Sequence, residues 1–201
     1  MNASFGRFKR IIQDTRNTFA LYDYLRNIVK PPYDYSDLLR WQWAQAVSAL
    51  DKLIHDLIRV GMCDIFVGKR SSTAKFAGFF VTMEVYDLMK NEPALSENTI
   101  EQFVILKNKT CSYQDPDKIA DGLSYIWGEN HKWRRISEIM GMDERTVKTE
   151  LKNISIRRNQ IVHEGDYHLN FDNRQTIEKE DVEEVLNFIE AVGHAIFLSV
   201  K

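Results

Sequence analysis

The chain has 201 residues, 27 of them Lys or Arg and 29 Asp or Glu, for a formal net charge of −2. That length suffices for one domain with a sizeable core, and the near-neutral balance excludes a general polyanion binder, so any nucleic-acid contact must come from a local basic patch. The 9 glycines and 4 prolines leave little turn material for an all-β fold, and no stretch approaches an apolar membrane span or signal core. The expectation is a cytoplasmic, all-α protein folded as a single domain over 1–201.

Residues 4–29 predict an N-terminal helix closed by Pro31 and Pro32 (a 1–30 segment), with a core bundle over 36–201. Ser36 or Asp37 caps the second helix. Its Leu39, Trp43, Ala46, Leu50, Leu53 and Leu57 recur at spacings of 4, 3, 4, 3 and 4, a buried stripe running to about Gly61 or slightly beyond. The run Ser71-Ser72-Thr73 caps a helix through Met89 that stops near Asn91 and Pro93. Ser96 to Thr99 open another, ending around Lys109. Short helices follow over about 115–127 and 133–140, the second stopped by Gly141. Asp143 or Glu144 begins a helix to about His163, with Gly165 as its stop. Residues 166–178 form a polar loop of a length often functional. Val182, Val185, Ile189, Val192 and Ile196 mark the last helix, about 180–200. The sum is an antiparallel helical bundle with additional short helices and no significant sheet. Cys63 and Cys111 lack paired spacing and predict reduced, buried or incidental thiols. Trp41, Trp43, Trp127 and Trp133 predict core or interface anchors.

The helix ending at His163 carries the most informative pattern. Val147, Leu151, Ile154 and Ile161 are spaced 4, 3 and 7 apart, and a heptad seam would place one more apolar residue at 158. Arg158 stands there. A guanidinium on a packing seam is costly unless something pairs with it. Either a buried carboxylate from another helix does so, or the position binds a phosphate. Asn159 and His163, four apart, share a helix face. Histidine is the side chain whose ordinary pKa suits acid or base work near neutrality, although a histidine at a helix end can also be a plain C-cap. Arg157 predicts a solvated neighbour or loose RNA contact. Glu164 and Asp166 predict a solvated helix end, able at most to orient His163. Lys148 and Lys152, with Arg145, Lys132, Arg134 and Arg135, form a plausible phosphate track, interleaved with Glu138, Asp143, Glu144 and Glu150.

Arg158-Asn159-Gln160-Ile161-Val162-His163 resembles the R-x4-6-H signature of the HEPN superfamily, in the form with a polar residue directly after the arginine. The blocks SYQDPDKIADGLSYIW (112–127), KWRRISEIMGM (132–142) and RRNQIVHEGD (157–166) resemble the RiboL-PSP-HEPN branch. ALDKLIHDL (49–57) is similar to the first core helix of that family. The resemblance implies a compact helical bundle that pairs as a symmetric dimer and acts as a metal-independent endoribonuclease. Arg158 and His163 would be the catalytic pair, with Asn159 beside them, meeting the partner's pair across a composite cleft. Arg157, Lys152 and Lys148 would be RNA contacts. The implied products are a 2′,3′-cyclic phosphate and a 5′-hydroxyl end, and the implied setting is anti-phage defence, abortive infection or a toxin–antitoxin pair, with an antitoxin or sensor protein as partner. Some relatives carry a modifiable tyrosine two residues after the histidine. Gly165 stands there, and the nearest tyrosine is Tyr167, so that route of regulation is not implied.

No cofactor is implied and no metal box is present, since His55, His131, His163, His168 and His194 are scattered. Two alternatives belong to other classes of function. One is a HEPN module that only binds protein. The other is a DNA-binding regulator, because residues 136–149 resemble the helix-turn-helix of LuxR-type domains, with Arg145, Thr146, Lys148 and Thr149 on the leading turn.

Overall fold

A computed structural model of the chain describes residues 1–168 and 173–201. It begins with α1 (Asn2–Asn17) and α2 (Phe19–Tyr24), the latter running into a π-helical turn at Leu25–Val29. The single N-terminal helix expected from the sequence is thus broken at Thr18. The cause is local. Thr15 Oγ1 donates to the Ile11 carbonyl (2.8 Å) and Thr18 Oγ1 to the Thr15 carbonyl (2.7 Å), while the buried Gln42 amide donates to Thr18 Oγ1. Hydroxyl bonds onto the preceding turn compete with the helix ladder and bend it. Lys30, at φ 49°, then leaves the helix ahead of the two prolines.

Helix α3 (Asp37–Phe66) is the central element, and α1, α6, α9 and α10 pack around it. It continues past Gly61. That glycine is a contact point rather than a stop: a Cβ there would lie 2.5 Å from Ile126 Cγ2. Gly68, at φ 76°, ends the segment instead. The helix expected over 71–89 is two elements, α4 (Ala74–Ala77) and α5 (Met83–Asn91), capped by the Thr73 and Thr82 hydroxyls. Helices α6 (Ser96–Asn108), α7 (Pro116–Leu123), α8 (Lys132–Met140), α9 (Glu144–Glu164) and α10 (Lys179–Val200) follow. Among the described residues no strand is present, and the only extended pairing is an isolated bridge between Tyr167 and Arg174. The middle of the loop expected at 166–178 lies outside the described residues.

The predicted stripes are the core. Leu39, Leu50, Leu53 and Leu57 of α3 are buried with Val182, Leu186, Ile189, Val192 and Ile196 of α10 and Val147 and Leu151 of α9. Helix α1 lies antiparallel to α10: Phe5 stacks on Phe197, and Arg16 reaches Asn187 and Glu190. Trp43 and Trp133 are core anchors, whereas Trp41 is largely exposed. Cys63 and Cys111 are free thiols. Burial pushes Cys63 up to about 11, and Cys111 is exposed.

Gly193 sets how closely α1 meets α10, because a Cβ there would lie 2.5 Å from Phe8 Cζ and 3.2 Å from Leu53 Cδ2. Gly193→Ala therefore overpacks the centre of the bundle. The expected loss is about 1–3 kcal/mol in urea unfolding, a typical cost for a methyl forced into a filled core.

Candidate active site

Helix α9 carries the motif and is fixed along its length. Asp143 caps its start, Oδ2 accepting the Thr146 amide at 3.0 Å. Val147, Leu151 and Ile154 bury its inner seam. Trp43 of α3 donates its indole N–H to the Ile154 carbonyl (3.1 Å), and Ser155 Oγ donates to the Gln114 carbonyl (2.6 Å). Gly165, at φ 66°, turns the chain out of the helix as the sequence predicts, and the amides of Gly165 and Asp166 both donate to the Gln160 carbonyl.

The next residue departs from expectation. Asp166 is not part of a solvated end but fully buried, and it holds φ 64°, a left-handed conformation unusual outside glycine. Its Oδ2 accepts from Arg40 Nε at 2.8 Å and from Arg157 Nη2 at 3.3 Å. Arg40 also donates to the Gln175 carbonyl (2.7 Å), and the Gln175 amide donates back to the Asp166 carbonyl (2.8 Å). Arg174 Nε adds a bond to the Gly165 carbonyl at 3.0 Å. A buried ion triad thus joins the start of α3, the end of α9 and the loop beyond.

Arg157 is likewise not a solvated neighbour. Its guanidinium lies 5.1 Å from the Trp43 ring centroid and donates to the Thr176 carbonyl at 2.6 Å as well as to Asp166. The geometry turns it inward, because a planar cation can stack on an indole and neutralise a buried carboxylate at once.

Arg158 is placed differently. It sits on the seam, partly covered, and its Nε is buried with no hydrogen-bond partner. Nη1 donates to Asn159 Oδ1 at 3.0 Å. Among the described residues no carboxylate lies within ion-pair distance of it. No described carboxylate therefore fills the role of the buried partner that the sequence left open. Asn159 and His163 are exposed on the outer face of α9. Arg158 and His163 project roughly 140° apart and about 7.5 Å along an ideal helix axis, so one copy of α9 does not aim both at one atom.

Beside this face lies an open cleft of about 600 Å³ between the first turns of α7 and α9, lined by Asp117, Glu144, Arg145, Lys148 and Lys152 among others. A smaller recess of about 130 Å³ adjoins it, sharing Asp115 and Lys152 and reaching Asn159. Lys148 stands 3.8 Å from the Asp117 carboxylate, whereas Lys152 is exposed and makes no ion pair among the described residues. Among those residues, too, no group of three or more His, Cys, Asp or Glu side chains is placed to hold a metal ion.

Helices α8 and α9 do form a helix–turn–helix about Gly141, at φ 66°. Arg145, Thr146 and Thr149 are exposed on its leading turn. Carboxylates surround that edge, however. Glu138 pairs with Arg134 and Arg135, the Thr146 amide and hydroxyl hold Asp143 ionised below its usual range, and Glu144 is exposed. Such a rim opposes entry into a DNA groove.

The model of the RiboL-PSP-HEPN family matches residues 9–201. The chain belongs to that family. No curated protein and no solved structure matches it. Domains of this kind are typically ribonucleases, often bind RNA and often dimerise, so the chain is an RNA-related helical module at that coarse level. Among the described residues no helix is long and apolar enough to cross a membrane.

The triad predicts a clear stability effect. Asp166→Ala strands two largely buried guanidinium groups, and breaking a buried ion pair this way costs about 3–5 kcal/mol. Urea unfolding of that variant should show such a loss, while Glu164→Ala, on the exposed neighbour, should stay within about 0.5 kcal/mol of wild type.

Proposed function

We propose that this HEPN protein is a metal-independent endoribonuclease, with Arg158, His163 and Asn159 as its catalytic residues and an RNA contact at Lys152; Lys148, beside the Asp117 carboxylate, is not counted among the contacts. The observation that carries the reading is Arg158. A guanidinium on a helix seam, with a buried Nε lacking a partner and no carboxylate beside it among the described residues, supports an anion site there. An arriving phosphate supplies the missing acceptors and a compensating charge.

The chemistry follows from RNA itself. A base removes the proton from the 2′-hydroxyl, whose oxygen attacks the adjacent phosphorus. The bond to the 5′ oxygen breaks, and an acid protonates that leaving oxygen. The products are a 2′,3′-cyclic phosphate and a 5′-hydroxyl end. His163, exposed on the last turn of α9, suits the proton transfers. Arg158 stabilises the charge that develops on the non-bridging oxygens, and the Asn159 amide orients that guanidinium through their hydrogen bond. Arg157, bound inward, is a positioning residue rather than an RNA contact. The divergence of Arg158 and His163 favours a homodimer in which two copies of α9 face each other across a two-fold axis. One His163 then takes the proton while the partner's His163 gives one. The proposed setting is phage defence, abortive infection or a toxin–antitoxin pair, with an antitoxin or sensor protein as regulator.

The test incubates folded wild-type protein, Arg158→Ala and His163→Ala with RNA in excess chelator. Wild type should cut and leave cyclic phosphate ends. Each variant should lose about 100-fold or more in rate, the usual scale for removing an acid–base group or a charge-stabilising donor. Cutting that survives both substitutions removes the mechanism. If wild type cuts no RNA but forms a stable protein complex, the module is a binding domain.

A further inference from the structure

On the outer face of α9, Arg145, Lys148, Lys152, Asn159 and His163 follow one another at spacings of 3, 4, 7 and 4, one continuous stripe. The larger cleft and the smaller recess both lie against this stripe. Asn159 ends the recess, and His163 stands one turn beyond it, about 6 Å along the axis. A ligand seated in the recess therefore extends naturally to His163.

The recess has the chemistry of a base pocket. Its wall combines the Gln114 amide, the Ser112 hydroxyl and the Asn159 amide with the exposed apolar face of Ile156. Gln114 makes no side-chain hydrogen bond among the described residues, so its donor and acceptor are open to a ligand. Two cations, Lys118 and Lys152, flank the opening, and neither is in an ion pair among the described residues. Asp115, on the same wall, has its Oδ1 occupied by the Asp117 amide at 2.9 Å. A cavity of about 130 Å³ suits a single heterocycle rather than a whole nucleotide.

We propose that this recess is a specificity pocket for one unpaired base of a single-stranded RNA, with Lys118 and Lys152 on the adjoining phosphates. The placement of the scissile phosphate next to it, at His163 and Arg158, rests on the nuclease reading above. Duplex RNA is excluded because its bases are stacked and paired, and only an extruded base enters so small a recess. Amide and hydroxyl groups read the edge of such a base, while Ile156 covers its face. The strand does not continue far towards the start of α9. There Asp117, Asp143 and Glu144 offset Arg145 and Lys148, and an anion gains little.

Two measurements test this. In the first, His163→Ala, which binds without cutting, is titrated with a labelled single strand and with a hairpin of the same composition. The single strand should bind at least tenfold more tightly. Its dependence of log K on log salt should have a slope near −2, from contacts at Arg158, Lys152 and Lys118, since each phosphate neutralised contributes about −0.7 on a single strand. Adding Lys118→Ala should flatten that slope by about 0.7, and adding Lys90→Ala, on distant α5, should leave it unchanged. In the second, cut sites in a random RNA pool are mapped. Wild type should prefer one base beside the cut, and Gln114→Ala should erase the preference several-fold while cutting continues. Wild-type cutting with an unaltered base preference in Gln114→Ala and an unaltered salt slope in Lys118→Ala overturns the pocket and leaves the nuclease reading standing. Single-strand binding that weakens with Lys118→Ala in a protein that never cuts keeps the pocket and removes the nuclease. Equal binding of hairpin and single strand overturns it as well.

Discussion

The whole arrangement depends on one buried carboxylate. Asp166 sits immediately after the turn that ends α9, in a left-handed conformation, between the guanidinium groups of Arg40 and Arg157. Removing a carboxylate from water costs several kcal/mol, and one ion pair seldom recovers that alone. Here two cations share the anion, and each makes further bonds to backbone carbonyls in the 175–176 segment. Trp43 completes the set by stacking under Arg157 and donating to the Ile154 carbonyl. The contacts that neutralise Asp166 are thus the same ones that fix the end of α9 against the start of α3. Rigid placement of the last turn of α9 is what an acid–base residue at 163 requires, since a misplacement of about 1 Å can cost a hundredfold in rate.

That anchoring divides α9 into faces with different work. Val147, Leu151 and Ile154 belong to the core. Arg157 faces the triad. Arg158 lies at the edge of the core seam, its Nε shielded from water while Nη1 reaches Asn159. The neighbouring arginines have opposite fates, and their surroundings decide it. Position 157 meets a carboxylate and an indole; among the described residues position 158 meets neither. Both arginines carry a buried Nε without a partner, but at 158 no described carboxylate neutralises the charge, and local conflicts of this type gather at functional sites. Lys152 and Asn159 occupy the solvent face.

The amphipathic periods of α3, α9 and α10 were legible in the sequence because burial there follows helical spacing directly. The caps at Asp143 and Thr73 and the exit at Gly165 were legible for the same local reason: a short polar side chain or a glycine meets a fixed backbone demand. The signature at 158–163 stood out because an arginine interrupts an apolar seam. What escaped depended on partners distant in the chain. The break at Thr18 involves Gln42, 24 residues away, and the role of Gly61 as a contact point depends on Ile126 occupying the space of an absent side chain. Asp166 looked like a solvated helix end because nothing nearby announces Arg40, 126 residues away. Arg157 was misplaced with it. Gln114 and Lys118 carried no signal, since a recess formed by a loop and a helix face has no linear spacing.

Geometry supports the proposed second copy of the chain, as does membership of a family whose domains often dimerise. On α9 the seam direction of Arg158 and the solvent direction of His163 differ by about 140°, too wide for one phosphorus atom. Neither side chain can be swung round cheaply. Arg158 is held by its partly covered stem and by Asn159, and the last turn that carries His163 is pinned through Asp166. A two-fold axis close to the end of α9 resolves the mismatch without moving either helix, because it brings the histidine of one protomer towards the arginine of the other. On this reading the triad within each protomer and the symmetry between protomers are two halves of one constraint. The first makes α9 too rigid to complete a site alone, and the second makes that rigidity useful.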